Sequence, residues 1–182
     1  MNIVKIKPFA IEDGPGVRVC VFCSYCPIHC EGCQNSICWS AEPSVGFRVY
    51  DNSLKEEILK DAAPDYIAGL TLCGGEPFEF VNQVGFLDLV KSFHEKYPTK
   101  SIWAYTGYLW NDLLPGGKRN DEDTLKLLSF IDVLIEGPFI LSLRDISDHN
   151  RWRGSTNQRV IDVKESLKQK KKVFLQNIPN NS

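Results

Sequence analysis

The sequence predicts an α/β fold: a mainly parallel sheet of about four to six strands forming a partial (β/α) barrel. Three observations predict it. Apolar, β-rich runs alternate with helical stripes in the order strand, helix, strand, helix, which is the order of a parallel sheet with crossover helices. Each strand candidate in this series runs into a loop rich in glycine or cysteine rather than into a hairpin turn. The chain has 182 residues, and a closed eightfold barrel takes about 250. No linker, repeat or composition shift divides the chain, so residues 1–182 read as one domain.

The elements follow in order. Residues 2–7 form a short strand with Val4 and Ile6 on one face, and 8–16 a loop closed by the turn Asp13-Gly14-Pro15-Gly16. Val17–Cys23 is apolar almost throughout, as a buried strand is. Ser53 as N-cap with Glu56 three residues on reads as a capping box, followed by the stripe Leu54, Ile58, Leu59, Ala62. Residues 67–73 are a strand entering the turn Gly74-Gly75. Val84, Leu87, Val90 and Phe93 recur at helical spacing up to Tyr97-Pro98. Residues 101–105 are a strand ending in Thr106-Gly107. Leu125, Leu127, Leu128 and Phe130 mark a helix after Asn120 or Asp121. Residues 131–135 are a strand ending in Glu136-Gly137-Pro138, and 160–163 and 173–176 are short strands. Between them, 141–159 is long, polar and aperiodic, a type of loop that is often functional.

Right-handed crossovers place the C-terminal ends of parallel strands together, where such folds build their sites. Four loops with unusual chemistry should therefore meet around one cavity: the cysteine loop, Gly74-Gly75-Glu76-Pro77, Thr106-Gly107-Tyr108 and Glu136-Gly137-Pro138.

Composition narrows the function classes. With 43% hydrophobic and 24% charged residues the chain builds a packed core. A formal charge of −2 argues against a domain-wide basic surface for nucleic acid. No apolar run approaches the roughly 20 residues of a membrane helix, and Lys5 and Lys7 interrupt the N-terminal stretch, unlike a secretory signal. The expected setting is cytoplasmic, without membrane or nucleic-acid partners. Cysteine is the distinctive residue: there are seven, an odd number crowded toward the N-terminal part, which points to metal or redox chemistry rather than a disulfide framework.

The crowded segment reads Cys26-Pro27-Ile28-His29-Cys30-Glu31-Gly32-Cys33, a C-x3-C-x2-C spacing. Three thiolates without a protein fourth suit a [4Fe–4S] cluster with one open iron, where a substrate binds. Pro27 and Gly32 help a short loop wrap around it. Three cysteines plus His29 could instead make a zinc knuckle, although His29 and Cys30 are adjacent and neighbours rarely converge on one small ion. Cys20 and Cys23 form a rival spacing with Cys26, yet both fall in a strand, where free cysteine behaves as a small hydrophobe. Cys38 and Cys73 read as structural.

At this point the sequence resembles a known family. C-x3-C-x2-C after a first barrel strand is the signature of the radical S-adenosylmethionine (SAM) enzymes. Asp13-Gly14-Pro15-Gly16-Val17-Arg18 resembles the lead-in of glycyl-radical enzyme activases, and Gly74-Gly75-Glu76-Pro77 the glycine-rich strand end that meets the SAM methionine. The segments from Ile102 to Tyr108 and from Trp152 to Arg159 are together similar to the activating proteins of anaerobic ribonucleoside-triphosphate reductases. Tyr25 stands where relatives usually have Gly, and Gln34 where an aromatic residue often follows the third cysteine.

The resemblance implies a radical SAM partial barrel. Cys26, Cys30 and Cys33 would hold the [4Fe–4S] cluster. Gly32, Cys33 and Gln34 would lie beside the nucleoside part of SAM, Gly74, Gly75 and Glu76 beside its methionine part, and Thr106 in the cavity wall. It implies reductive cleavage of SAM to a 5′-deoxyadenosyl radical, which takes hydrogen from a glycine of the reductase, with electrons from a flavodoxin-type donor. Two rivals stand beside it: another radical SAM enzyme (a different glycyl-radical activase or a 7-deazaguanine-type synthase), and a zinc-binding interaction module. Arg144, Arg151, Arg153 and Arg159 suit either a carboxylate clamp or a solvated surface. Trp110, Trp152, His94 and His149 read as packing or surface, and the lysines at 168–172 as a solvated helix end. The 141–159 loop is expected to dock the partner, so that deleting 150–155 impairs reductase activation more than SAM binding.

Overall fold

Four parallel strands form the centre of one open, seven-stranded sheet in the computed structural model, which describes residues 1–147 and 152–175. In chain order the elements are β1 (Asn2–Ala10), β2 (Val17–Cys23), β3 (Arg48–Val49), α1 (Asn52–Asp61), β4 (Ile67–Gly74), α2 (Phe80–Lys96), β5 (Ser101–Thr106), α3 (Trp110–Leu113), α4 (Glu122–Phe130), β6 (Val133–Glu136), β7 (Arg159–Asp162) and α5 (Val163–Gln169). Single 3₁₀ turns lie at Ser36–Cys38 and Leu141–Leu143. The sheet order is β3-β1-β2-β4-β5-β6-β7.

The pairs β2–β4, β4–β5 and β5–β6 are parallel, whereas β1–β2, β1–β3 and β6–β7 are antiparallel. The expected four to six strands thus become seven. Length limits parallel strands, because each needs a crossover, but antiparallel edge strands need only a short reversal. β1, β3 and β7 are such edge strands, of which only β3 has no counterpart among the predicted strands, and the architecture is mixed α/β.

β2 shows why its sequence is apolar on both sides. Val19, Val21 and Cys23 pack with Leu70, Leu72, Ile102 and Ala104 beneath the helices, while Cys20 and Phe22 point to the other face with Cys73 and Cys38. Cys20 and Cys23 are thus both fully buried in core clusters. Helices α1, α2, α4 and α5 cover the first face with Leu54 and Ile58, Phe86 and Phe93, Leu127 and Leu128, and Val163. Each large buried side chain contributes roughly 1.5–3 kcal/mol of transfer free energy.

Local boundaries differ from the sequence reading where a second capping residue competes. α1 starts two residues early, because Asp51 accepts from the Leu54 N–H at 2.8 Å and takes the cap from Ser53. Asp121 caps α4, accepting from the Thr124 N–H at 2.7 Å. Val163 opens α5 instead of ending a strand, capped by Asp162. Of 173–176, Phe174 makes one isolated bridge to Ile161, and Gln176 lies outside the described residues.

The face of α2 is the largest correction. Val84 is 64% exposed and Leu87 half-buried, whereas Asn82, Gln83, Phe86, Leu89, Val90 and Phe93 are buried. Two polar residues in the first turn occupy core positions, so the apolar pattern alone points to the wrong face there. Among the described residues no helix is long and apolar enough to cross a membrane.

Candidate functional site

A cavity of about 400 Å³ opens at the C-terminal ends of β2, β4, β5 and β6. Cys26, Cys30 and Cys33 line it from the loop after β2, with Gln34 and Trp39. Gly74, Gly75 and Glu76 enter from the turn after β4, Thr106 and Gly107 after β5, and Gly137 after β6. The four strand-end loops therefore share one cavity. Arg144, Trp152 and Arg153 from the long 141–159 segment form a further wall, and Glu12 and Asp13 lie on it as well.

All three thiols of the cysteine loop are free, Cys26 buried and Cys30 and Cys33 half-buried. Burial pushes the Cys26 thiol up to about 11, and the backbone N–H groups of Ile28 and His29 pull against it. Burial also raises Cys30, opposed first by the backbone of Phe139. The Asn35 N–H donates to Cys33 Sγ at 3.4 Å. Backbone donors at Cys26 and Cys30 thus offset part of the upward push of burial. His29 is stacked on Trp39 with ring centroids 4.7 Å apart.

Glycine is required at 74 and 75 by the protein itself. A Cβ on Gly74, whose φ is +104°, would lie 2.6 Å from Cys23 N, and one on Gly75 would lie 2.4 Å from Tyr25 O. The turn presses against the start of the cysteine loop and is sewn to it by Gly75 N–H to Cys23 O at 2.7 Å and Glu76 N–H to Tyr25 O at 2.8 Å. Gly32 does not line the cavity; it packs against Leu141. Tyr25 has φ +68°, a left-handed conformation that favours glycine.

Glu76 joins a third loop to this pair. Its carboxylate accepts from the Thr106 hydroxyl at 2.7 Å, the Gly107 N–H at 2.8 Å and the Phe78 N–H at 3.0 Å. A carboxylate has about four acceptor positions, so most of its capacity is spent inside the protein. Burial pushes its pKa up to about 7 against those three donors. Tyr108 turns away from the cavity and donates to Glu79, which also pairs with Arg119 at 3.0 Å.

The remaining candidates separate cleanly. Arg153 is paired with Asp145 at 2.8 Å, and Arg159 donates to backbone carbonyls away from the cavity. Arg144 lines the cavity, while Arg151 and His149 lie outside the described residues. Trp152 is a cavity wall as well as a packing residue, set edge-on to Trp103 at 5.5 Å. Trp110 is buried, and His94 packs edge-on against Phe130. Sequence reasoning missed Asn82, whose amide reaches both the cysteine loop and the Gly-Gly turn; an Asn in register with Phe86, Leu89 and Phe93 was the available signal.

Comparison with known proteins places the chain in a family. Residues 12–161 match the family described as "4Fe-4S single cluster domain". An anaerobic ribonucleoside-triphosphate reductase-activating protein of Enterobacteria phage T4 is 34% identical over 160 residues, covering 88% of this chain and 93% of the relative. Proteins of the same name from Pasteurella multocida and Escherichia coli K12 are 37% and 32% identical over 162 residues, covering 87% and 88% of this chain and 95% and 97% of theirs.

Proposed function

From the premise that this chain belongs to the anaerobic ribonucleoside-triphosphate reductase-activating proteins, with a 4Fe-4S domain, we propose that it is a radical SAM activase built as one domain. A [4Fe–4S] cluster held by Cys26, Cys30 and Cys33 would supply the electron for reductive cleavage of SAM to methionine and a 5′-deoxyadenosyl radical, which would take hydrogen from a glycine of the reductase. The electron comes from a flavodoxin-type donor in the cytoplasm.

The observation that carries this reading is the convergence of three thiols and two glycine turns on one cavity. Cys26, Cys30 and Cys33 hold the cluster, and the Asn35 N–H reaches Cys33 Sγ at 3.4 Å. Among the described residues no three His, Cys, Asp or Glu side chains converge closely enough for a single metal ion. The His29 ring is engaged with Trp39. A stacked His29 ring disfavours a zinc knuckle that needs it as the fourth ligand.

Gly74, Gly75 and Glu76 bind the methionine side of SAM, and Thr106 stands in the cavity wall. The largely satisfied Glu76 carboxylate acts chiefly by pinning the two turns, and the turn carbonyls accept from the SAM amino group. Gly32, Cys33 and Gln34 flank the nucleoside, with Gly32 acting through its contact with Leu141.

Incubation of the reduced, cluster-loaded protein with SAM and the reductase tests the proposal by electron paramagnetic resonance (EPR). A glycyl-radical signal on the reductase is the expected outcome, lost in Cys30→Ala. SAM cleavage without that signal would favour a different radical SAM enzyme. A colourless protein holding one zinc would favour the interaction module.

A further inference from the structure

We propose that Asn82 is a positioning residue that fixes the spacing between the cysteine loop and the Gly74-Gly75-Glu76 turn, and so the register of the cluster against SAM. This inference rests on the function proposed above and names a residue that makes its geometry.

Asn82 lies in the first turn of α2 and is 1% exposed. Its Nδ2 group donates to Ser24 O at 2.9 Å and to Glu76 O at 3.0 Å, and lies 3.4 Å from Cys23 Sγ. Ser24 is the first residue after β2, where the strand enters the cysteine loop, and Glu76 closes the glycine turn. The two segments already bond each other through Gly75 and Glu76. Asn82 adds what those bonds lack, a tie from both segments to a helix packed into the core, and a site held on a rigid element keeps tighter geometry.

The other half of the amide shows what the position costs. Asn82 Oδ1 is buried and has no hydrogen-bond partner. Buried polar atoms are nearly always satisfied, and an exception calls for a reason. The rest of this helix face includes Phe86, Leu89, Val90 and Phe93, so an apolar residue would serve the core better. An amide kept there with its oxygen unmet serves the two carbonyls it ties together.

Gln83 is the internal control. It is equally buried, donates to Phe78 O at 3.0 Å and accepts from the Thr124 hydroxyl at 2.7 Å. Its side-chain bonds tie α2 to α4 and reach neither the cysteine loop nor residues 74–76.

The test uses the full chain, reconstituted anaerobically with iron and sulfide, as wild type, Asn82→Ala and Gln83→Ala. Iron content and thermal midpoint report loading and folding; the EPR spectrum of the reduced cluster with and without SAM reports register. Wild type and Gln83→Ala are expected to change spectrum on adding SAM. Asn82→Ala is expected to load iron but lose that change, with kcat/KM for SAM cleavage down about 10- to 100-fold. If Asn82→Ala does not fold, Asn82→Ser, whose hydroxyl reaches one carbonyl, takes its place. The same response in Asn82→Ala and Gln83→Ala, retained or lost, would overturn the proposal. So would failure of both Asn82 variants to fold while Gln83→Ala folds. A wild type that binds its cluster but never responds to SAM contradicts the proposed function instead.

Discussion

Arg18 lies near the start of β2 and Glu76 in the turn after the neighbouring β4, so they sit at opposite ends of the sheet, each buried to 1% exposure or less. Arg18 donates to Thr71 Oγ1 at 2.8 Å, to Leu70 O and Ser101 O at 2.9 Å and to Ser101 Oγ at 3.0 Å, and lies over the Trp103 ring. No carboxylate pairs with it among the described residues, and burial lowers its pKa to about 10, so it stays charged at neutral pH. All these partners belong to β4 and β5. Glu76 instead draws its bonds from turns that line the cavity. One buried charge staples strands and the other aligns loops. Loss of the first should cost the fold, and loss of the second the chemistry.

The largest effect is expected at the stapling end. Arg18→Met leaves buried carbonyls and hydroxyls without donors and should lower unfolding free energy by about 3–5 kcal/mol in urea titrations. A loss below about 1 kcal/mol would break the comparison.

Glu76 gives a pH-dependent effect. A pKa raised from 4.5 to about 7 by burial is worth on the order of 3 kcal/mol. The protonated acid's contribution to stability is full below about pH 4.5 and is lost as pH rises through about 7. Wild-type apoprotein should therefore lose stability relative to Glu76→Gln between pH 5 and 8. Parallel curves from thermal denaturation would mean that the carboxylate is not desolvated.

The thiols sharpen the same contrast. Cys20→Ala, in the sheet, should cost about 1–2 kcal/mol by cavity formation and leave reconstituted iron unchanged. Loss of iron from this variant would reassign the ligands. The smallest effect belongs to Tyr25→Gly, which relieves a left-handed residue at φ +68° and should shift stability by no more than about 1 kcal/mol in either direction. A larger loss in thermal scans would show that the Tyr25 ring packs energetically.

Much of this was legible in the sequence because periodicity and turn chemistry are local. β2 has the boundaries its apolar run indicates, and the four strand-end loops converge as parallel topology requires. Three features were not legible, each for a physical reason. The antiparallel edge strand β3 is two residues long and depends on a partner distant in sequence. Asp51 and Ser53 both have capping chemistry, and only the fold decides between them. The polar start of α2 was misread because Asn82 and Gln83 are buried for their hydrogen bonds, which hydrophobic spacing does not encode. The glycines at 74 and 75 were found for one reason and are needed for another: they admit the cysteine loop's own backbone.

The most direct measurement is product analysis on the oxygen-free, reconstituted protein with reductant and SAM, without the reductase. Methionine and 5′-deoxyadenosine formed in equal amounts, and abolished in Cys33→Ala, are the predicted result. A fully loaded cluster that leaves SAM intact would contradict the account.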